Sequence, residues 1–142
     1  MRHWFRFFLL FLACTGGLAV AQANNTNYAY FFTAANNGFA AYLDLNNQTN
    51  DAKGYRLVNV KLDSMSDAFR GWIKENFPGG ENAAYAIDAY SIDCAGKQTG
   101  EHLLVLYDAN SFPLTSHDYG GEMAPPITSS MKFYLMQKVC GS

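Results

Sequence analysis

The sequence predicts an α+β domain: an antiparallel sheet of about five to six strands, one helix in mid-chain, and a C-terminal helix tethered to the sheet by a disulfide. Three observations lead there. Short stretches of period-two alternation recur from Tyr28 to His117 and are separated by Asn-, Asp- and Gly-rich turns. Two stretches switch to helical spacing, after Asp63 and after Ser130. Two cysteines, Cys94 and Cys140, end a strand pattern and the last helix pattern.

Tyr28 to Thr33 is aromatic and reads as the first strand. Asn36-Asn37-Gly38 is a turn, since Asn and Gly tolerate positive φ. Phe39 to Leu45 follows as a second strand, with Phe39, Ala41, Leu43 and Leu45 on one face. Asn46 to Gly54 is a polar loop, and Tyr55 to Leu62 a third strand whose Val58, Val60 and Leu62 share a face. Ser64 and Asp67 make a box-like helix start. Met65, Ala68, Phe69, Trp72 and Ile73 then fall on one apolar stripe, expected to pack in the core, and Pro78-Gly79-Gly80 ends the helix.

Ala84 to Asp93 is strand-like, with Tyr85, Ile87, Ala89 and Ser91 on one side and Asp88 and Tyr90 on the other. Ala95 to Gly100 is a turn. Glu101 to Tyr107 has a nearly unbroken apolar centre, which predicts a central strand buried on both faces. Asp108 to Ser111 turns the chain into Phe112 to His117, where Pro113 lacks an N–H and points to an edge or a strand start. A Gly- and Pro-rich loop leads to the last helix, capped by Ser129 or Ser130, with Met131, Tyr134, Leu135 and Val139 as its apolar face and Gly141 as its C-cap.

The N-terminus has the layout of a secretory signal: Arg2 and Arg6, an apolar run from Phe7 to Ala13, and small-residue cleavage sites after Ala21 or Ala23. The expectation is a signal peptide over 1–21 and a single domain over 24–142. An uncleaved anchor, or a lipid on Cys14, are the alternatives. Of the 10 basic and 12 acidic residues, cleavage removes Arg2 and Arg6, so the exported chain carries 8 − 12 = −4. That balance offers no electrostatic footprint for nucleic acid and no polybasic patch for anionic lipid. In an oxidising compartment Cys94 and Cys140 form an even pair; two free buried thiols are the alternative.

Candidate chemistry is sparse. His117, Asp118 and Glu122 share one loop without the spacing of a structural zinc site, and His102 beside Glu101 reads as a surface residue. No serine sits in a nucleophile-elbow pattern. Asp44, Asp88, Asp93 and Asp108 end or interrupt strands; turn roles explain them most simply, although two carboxylates meeting in space would form an acid–base pair. Neither a catalytic residue nor a cofactor or metal is expected. Asn24 and Asn47 stand in glycosylation sequons. Tyr28, Tyr30, Tyr42, Tyr55, Tyr85 and Tyr90 concentrate in the strands, as suits either a binding surface or a half-buried sheet.

Tyr90-Ser91-Ile92-Asp93-Cys94, Leu104-Val105-Leu106-Tyr107-Asp108-Ala109-Asn110, Pro126 with Ser129-Ser130, and Lys138-Val139-Cys140 follow one another in an order that resembles the bacterial surface-adhesin protein E family. Tyr42-Leu43-Asp44 and Tyr55 to Lys61 are similar to that family's opening strands, whereas Asp63 to Gly80 departs from the pattern. The resemblance implies an antiparallel sheet with the terminal helix held on it by Cys94–Cys140. It also implies a non-enzymatic protein exported to the periplasm or outer surface of a Gram-negative bacterium, in some members an adhesin for host extracellular proteins. A periplasmic protein that inhibits or assists another envelope protein is the alternative, and a small hydrolase a third reading. The expected partner is a protein, its identity open.

Overall fold

The computed structural model describes residues 27–141. The expected signal segment and Cys14 lie outside the described residues. Among the described residues seven strands form one antiparallel sheet: β1 (Tyr28–Thr33), β2 (Ala40–Asp44), β3 (Thr49–Asn50), β4 (Arg56–Asp63), β5 (Tyr85–Asp93), β6 (Gln98–Tyr107) and β7 (Pro113–Asp118). The order is β1-β2-β4-β5-β6-β7, with β3 paired to one end of β4. Two helices, α1 (Asp67–Asn76) and α2 (Met131–Cys140), bring the fold to α+β. Among the described residues no helix is long and apolar enough to cross a membrane.

Strand alternation decides which face is covered. Ala41 and Leu43, then Val58, Val60 and Leu62, then Ala86, Tyr90 and Ile92, then Leu104 and Leu106 all turn to one side and are buried there. Leu135 and Val139 of α2 and Ile73 of α1 complete the same cluster. Both helices therefore lie on one face of the sheet, and among the described residues no helix packs on the other. Cys94, in the β5–β6 turn, bonds Cys140 in the last turn of α2 with a Cα–Cα separation of 5.6 Å. Beside it, the Arg56 guanidinium of β4 donates to the Val139 carbonyl at 3.0 Å. The expected tether is thus present and is reinforced by a second link to an orphan helix-end carbonyl.

Several boundaries differ from the sequence reading. In the β1–β2 turn the two asparagines take positive φ (Asn36 at 56°, Asn37 at 52°), while Gly38 is right-handed at −57° and donates to the Ala35 carbonyl. The turn thus relies on asparagine's tolerance of left-handed backbone. Thr49 and Asn50, expected in a loop, pair with Leu57 and Arg56. Ser66, not Ser64, caps α1 by accepting the Phe69 N–H at 3.1 Å; Ser64 is left-handed at 53° and lies outside the helix.

Along α1 only Ile73 is buried. Ala68 is exposed and Trp72 retains 47% of its accessible surface, so the apolar stripe does not pack wholly into the core. The strand Glu101–Tyr107 is not buried on both sides either: β6 lies next to the edge strand, and Leu103 is 43% exposed. Its apolar run has one face in the core and one toward solvent. Pro113 opens β7, an edge strand, where its missing N–H breaks no inner ladder.

The last helix follows expectation closely. Ser130 caps it, its Oγ accepting the Phe133 N–H at 3.3 Å, and Gly141 ends it at φ 73° with its N–H on the Gln137 carbonyl. Ser130→Ala is expected to cost about 1 kcal/mol, seen as a lower urea midpoint at unchanged slope.

Candidate functional site

Two surfaces follow from this architecture: a cleft between the sheet and the helices, and the helix-free face of the sheet. The cleft depends on an irregularity in β6. From Asp88 to Tyr90, β5 advances two residues while its partner advances three, from Leu104 to Glu101. The extra residue is a β-bulge, and it reverses the parity of everything before it in β6. Glu101 and Thr99 therefore face inward with Leu104, next to Asp88 and Tyr90. His102 is turned to the opposite face, where its Nε2 lies 2.6 Å from the Ser91 hydroxyl.

Asp88 occupies an unusual place. Reading across the sheet, its register partners are Val60 and Leu104, with Leu43 beyond Val60, so a carboxyl stands in an otherwise apolar row. It is only 2% exposed. Tyr90, two residues on and on the same face, donates its hydroxyl to Oδ2 at 2.5 Å. Oδ1 is buried and meets no donor among the described residues. Burial is the main reason its pKa is pushed up to about 8, and the neighbouring Glu101 adds to this through its charge and through a hydrogen bond with the protonated acid; the Tyr90 bond and Lys132 pull the other way. At neutral pH Asp88 is thus mostly a neutral acid, able to donate as well as accept. Glu101 is held by Lys132 of α2 at 2.7 Å. Burial also raises the Tyr90 and Tyr119 hydroxyls above their ordinary range, with Asp88 and Glu101 adding to both.

Above this polar floor the walls are apolar. Rings run in series from Phe39 to Phe69 (4.9 Å), Trp72 (5.5 Å), Phe77 (5.4 Å), His117 (6.0 Å) and Tyr119 (4.5 Å). Pro125, Pro126, Ile127 and Met131 also line the cleft, which is open and has a volume of about 550 Å³, within the range of small-ligand sites. The partial exposure of Trp72 and the open position of Ile127, 81% exposed, follow from lining this cleft.

The helix-free face carries the tyrosines. Tyr30 meets Tyr42 edge-on at 5.9 Å, and Tyr85 stacks on Tyr107 at 5.1 Å and 8°. Lys61 lies between these pairs, 5.5 Å from the Tyr28 ring and 4.8 Å from Tyr85, with its ammonium 3.0 Å from Asp63. The five rings and the lysine form a band from β1 to β6. Of the tyrosines singled out in the sequence, Tyr28, Tyr30, Tyr42 and Tyr85 join it. Tyr90 does not, because strand parity sends it into the core, and Tyr55 lies just before β4, near Lys53.

Other candidates resolve into structural roles. Asp44 accepts from the Asn46 N–H and the Asn47 side chain, Asp93 from the Gly96 N–H, and Asp108 from the Asn110 and Phe112 N–H groups. These are Asx-type turns. Asp88, read with them, is the exception, and its carboxylate partner is Glu101, which the sequence did not single out. The clue available was a charged residue in a strand between Ile87 and Ala89, but nothing local announces the bulge that brings Glu101 round. His117 and Asp118 end β7 and Glu122 lines the cleft; among the described residues no group of three or more His, Cys, Asp or Glu side chains is arranged to hold a metal. Comparison with protein families, with characterised proteins and with solved structures finds no match for this chain.

Proposed function

We propose that this is an exported, non-enzymatic binding domain that takes a protein partner on the helix-free sheet face, in the manner of the surface-adhesin protein E family it resembles. The observation that carries this reading is the band of Tyr28, Tyr30, Tyr42, Tyr85 and Tyr107 around Lys61. Tyrosine gives contact area with a polar tip at small entropic cost, and such side chains concentrate in protein interfaces. The edge strand β1, with Tyr30 55% exposed, extends the band to a rim where a partner strand can add. The disulfide and the signal-like N-terminus support export.

The test is capture of host matrix proteins and of periplasmic extract proteins by the immobilised domain, repeated with Tyr30→Ser/Tyr42→Ser/Tyr85→Ser. Saturable capture lost in the triple variant, at unchanged disulfide content, is the expected result. Capture that survives it would refute the assignment of this face. Surface protease shaving separates the adhesin from the alternative, a periplasmic inhibitor or assistant of another envelope protein.

A hydrolytic reading is favoured by one observation, the juxtaposition of neutral Asp88 and charged Glu101 at a cleft floor. Turnover of a chromogenic ester or glycoside panel, abolished in Glu101→Gln, would support it over simple binding.

A further inference from the structure

The cleft on the helix side holds a group whose chemistry is incomplete. Asp88 Oδ1 is buried and meets no donor among the described residues; its own proton, when present, closes the contact with Glu101, so it is the ionised carboxyl that stands unsatisfied beside a roomy cleft. The surroundings define what would complete it. β6 brings Glu101, α2 brings Lys132, β5 itself brings Tyr90, and the segment after β7 brings Tyr119 and Glu122; β4 and α1 face the cleft with apolar and aromatic side chains only. Lys132 is already committed to Glu101. With Asp88 ionised its charge is therefore left unpaired by Lys132, and Phe69, Trp72 and Phe77 line the same cleft, where aromatic rings can receive a cation.

We infer that this cleft binds a protonated amine on an apolar carrier, an alkyl- or arylammonium such as a lysine side chain presented by a partner. The ammonium donates to Asp88 Oδ1, and its apolar stem lies along Trp72 and the proline wall. An alcohol would supply the hydrogen bond without the charge. A quaternary ammonium would supply the charge without the donor. An acid would meet Glu101 and repulsion. The cavity of about 550 Å³ is far larger than one ammonium group, which is why the carrier matters. Binding also moves a proton: Asp88, mostly protonated in the free protein at pH 7, releases its proton to solvent as the ammonium enters, since the ion pair favours the carboxylate.

The experiment is titration calorimetry of the oxidised domain with n-hexylammonium, 1-hexanol, hexanoate and hexyltrimethylammonium at pH 6, 7 and 8. Hexylammonium is expected to bind about tenfold or more tightly than the other three. Its affinity should rise several-fold per pH unit toward pH 8, with proton release read from the buffer dependence of the heat. Asp88→Asn should remove the preference for hexylammonium over hexanol and the proton release. Trp72→Ala, at a position 47% exposed and with an unchanged urea midpoint as the check on folding, should weaken both cations. Equal affinity for hexanol, a preference that survives Asp88→Asn, cations unaffected by Trp72→Ala, or no binding of any probe would overturn the inference. Each leaves the reading of the opposite, tyrosine-bearing face untouched, because none of these substitutions lies there.

Discussion

Asp88→Asn is expected to stabilise the folded domain at neutral pH, by roughly 2 to 4 kcal/mol, while leaving it unchanged near pH 4. The sign follows from the direction of the shift. Burial among Val60, Leu104 and Tyr90 raises the Asp88 pKa from 3.8 to about 8, so between these values the folded state keeps a proton that the unfolded chain has released. Stability then falls as pH rises through that window, by at most about 1.4 kcal/mol per pH unit, and the loss is complete above pH 8. Asn cannot ionise, and its carbonyl still accepts the Tyr90 hydroxyl, while its amide can donate toward the Glu101 carboxylate. Urea unfolding of both proteins at pH 4, 7 and 9 checks this. The variant's advantage should widen from pH 4 to about 8 and then level off. A variant less stable than the parent across the range would mean that burying the Asp88 charge carries no such cost. A residue that costs stability where an apolar one would fit is a mark of function, and this links the prediction to the cleft.

Reduction of Cys94–Cys140, or the double substitution Cys94→Ala/Cys140→Ala, is expected to destabilise the domain by about 4 kcal/mol on the chain-entropy account. The bond spans 46 positions, and the freed chain would regain that loop entropy when unfolded. For a domain of this size the melting temperature should fall on the order of 15 °C. Calorimetry with and without reductant measures it; a shift of only a few degrees would show that Leu135, Val139 and the Arg56–Val139 link hold α2 on the sheet without covalent help. Because α2 also delivers Lys132 to Glu101, loosening the helix should expose the carboxyl pair as well.

These two predictions differ in how far the sequence alone foresaw them. The disulfide was legible: an even cysteine pair, one at a strand end and one near the chain terminus, behind a signal-like segment. So were the strands other than β3, an edge or strand start at Pro113 and the start and stop of α2, since alternation, a proline and a serine–glycine pair act within a few residues of themselves. The tyrosine band was half legible. The residues were visible as a cluster, but which of them share a face depends on parity, and Tyr90 falls on the other side from Tyr85 while Tyr107 joins it.

The cleft was not legible. The helical spacing of Phe69 and Trp72 predicts core packing, yet spacing says only that a stripe exists. What covers that stripe depends on how far the helix stands from the sheet. The Asp88–Glu101 meeting depends on one extra residue in β6, set by hydrogen bonds to a neighbouring strand. The sequence by itself determined the fold class, the order of the elements apart from β3, and the tether, because each rests on short-range periodicity or on residue types with one dominant use. Tertiary structure alone decided that two carboxyls and an arc of rings share a cavity, because cross-strand register is a long-range property that a single bulge can invert.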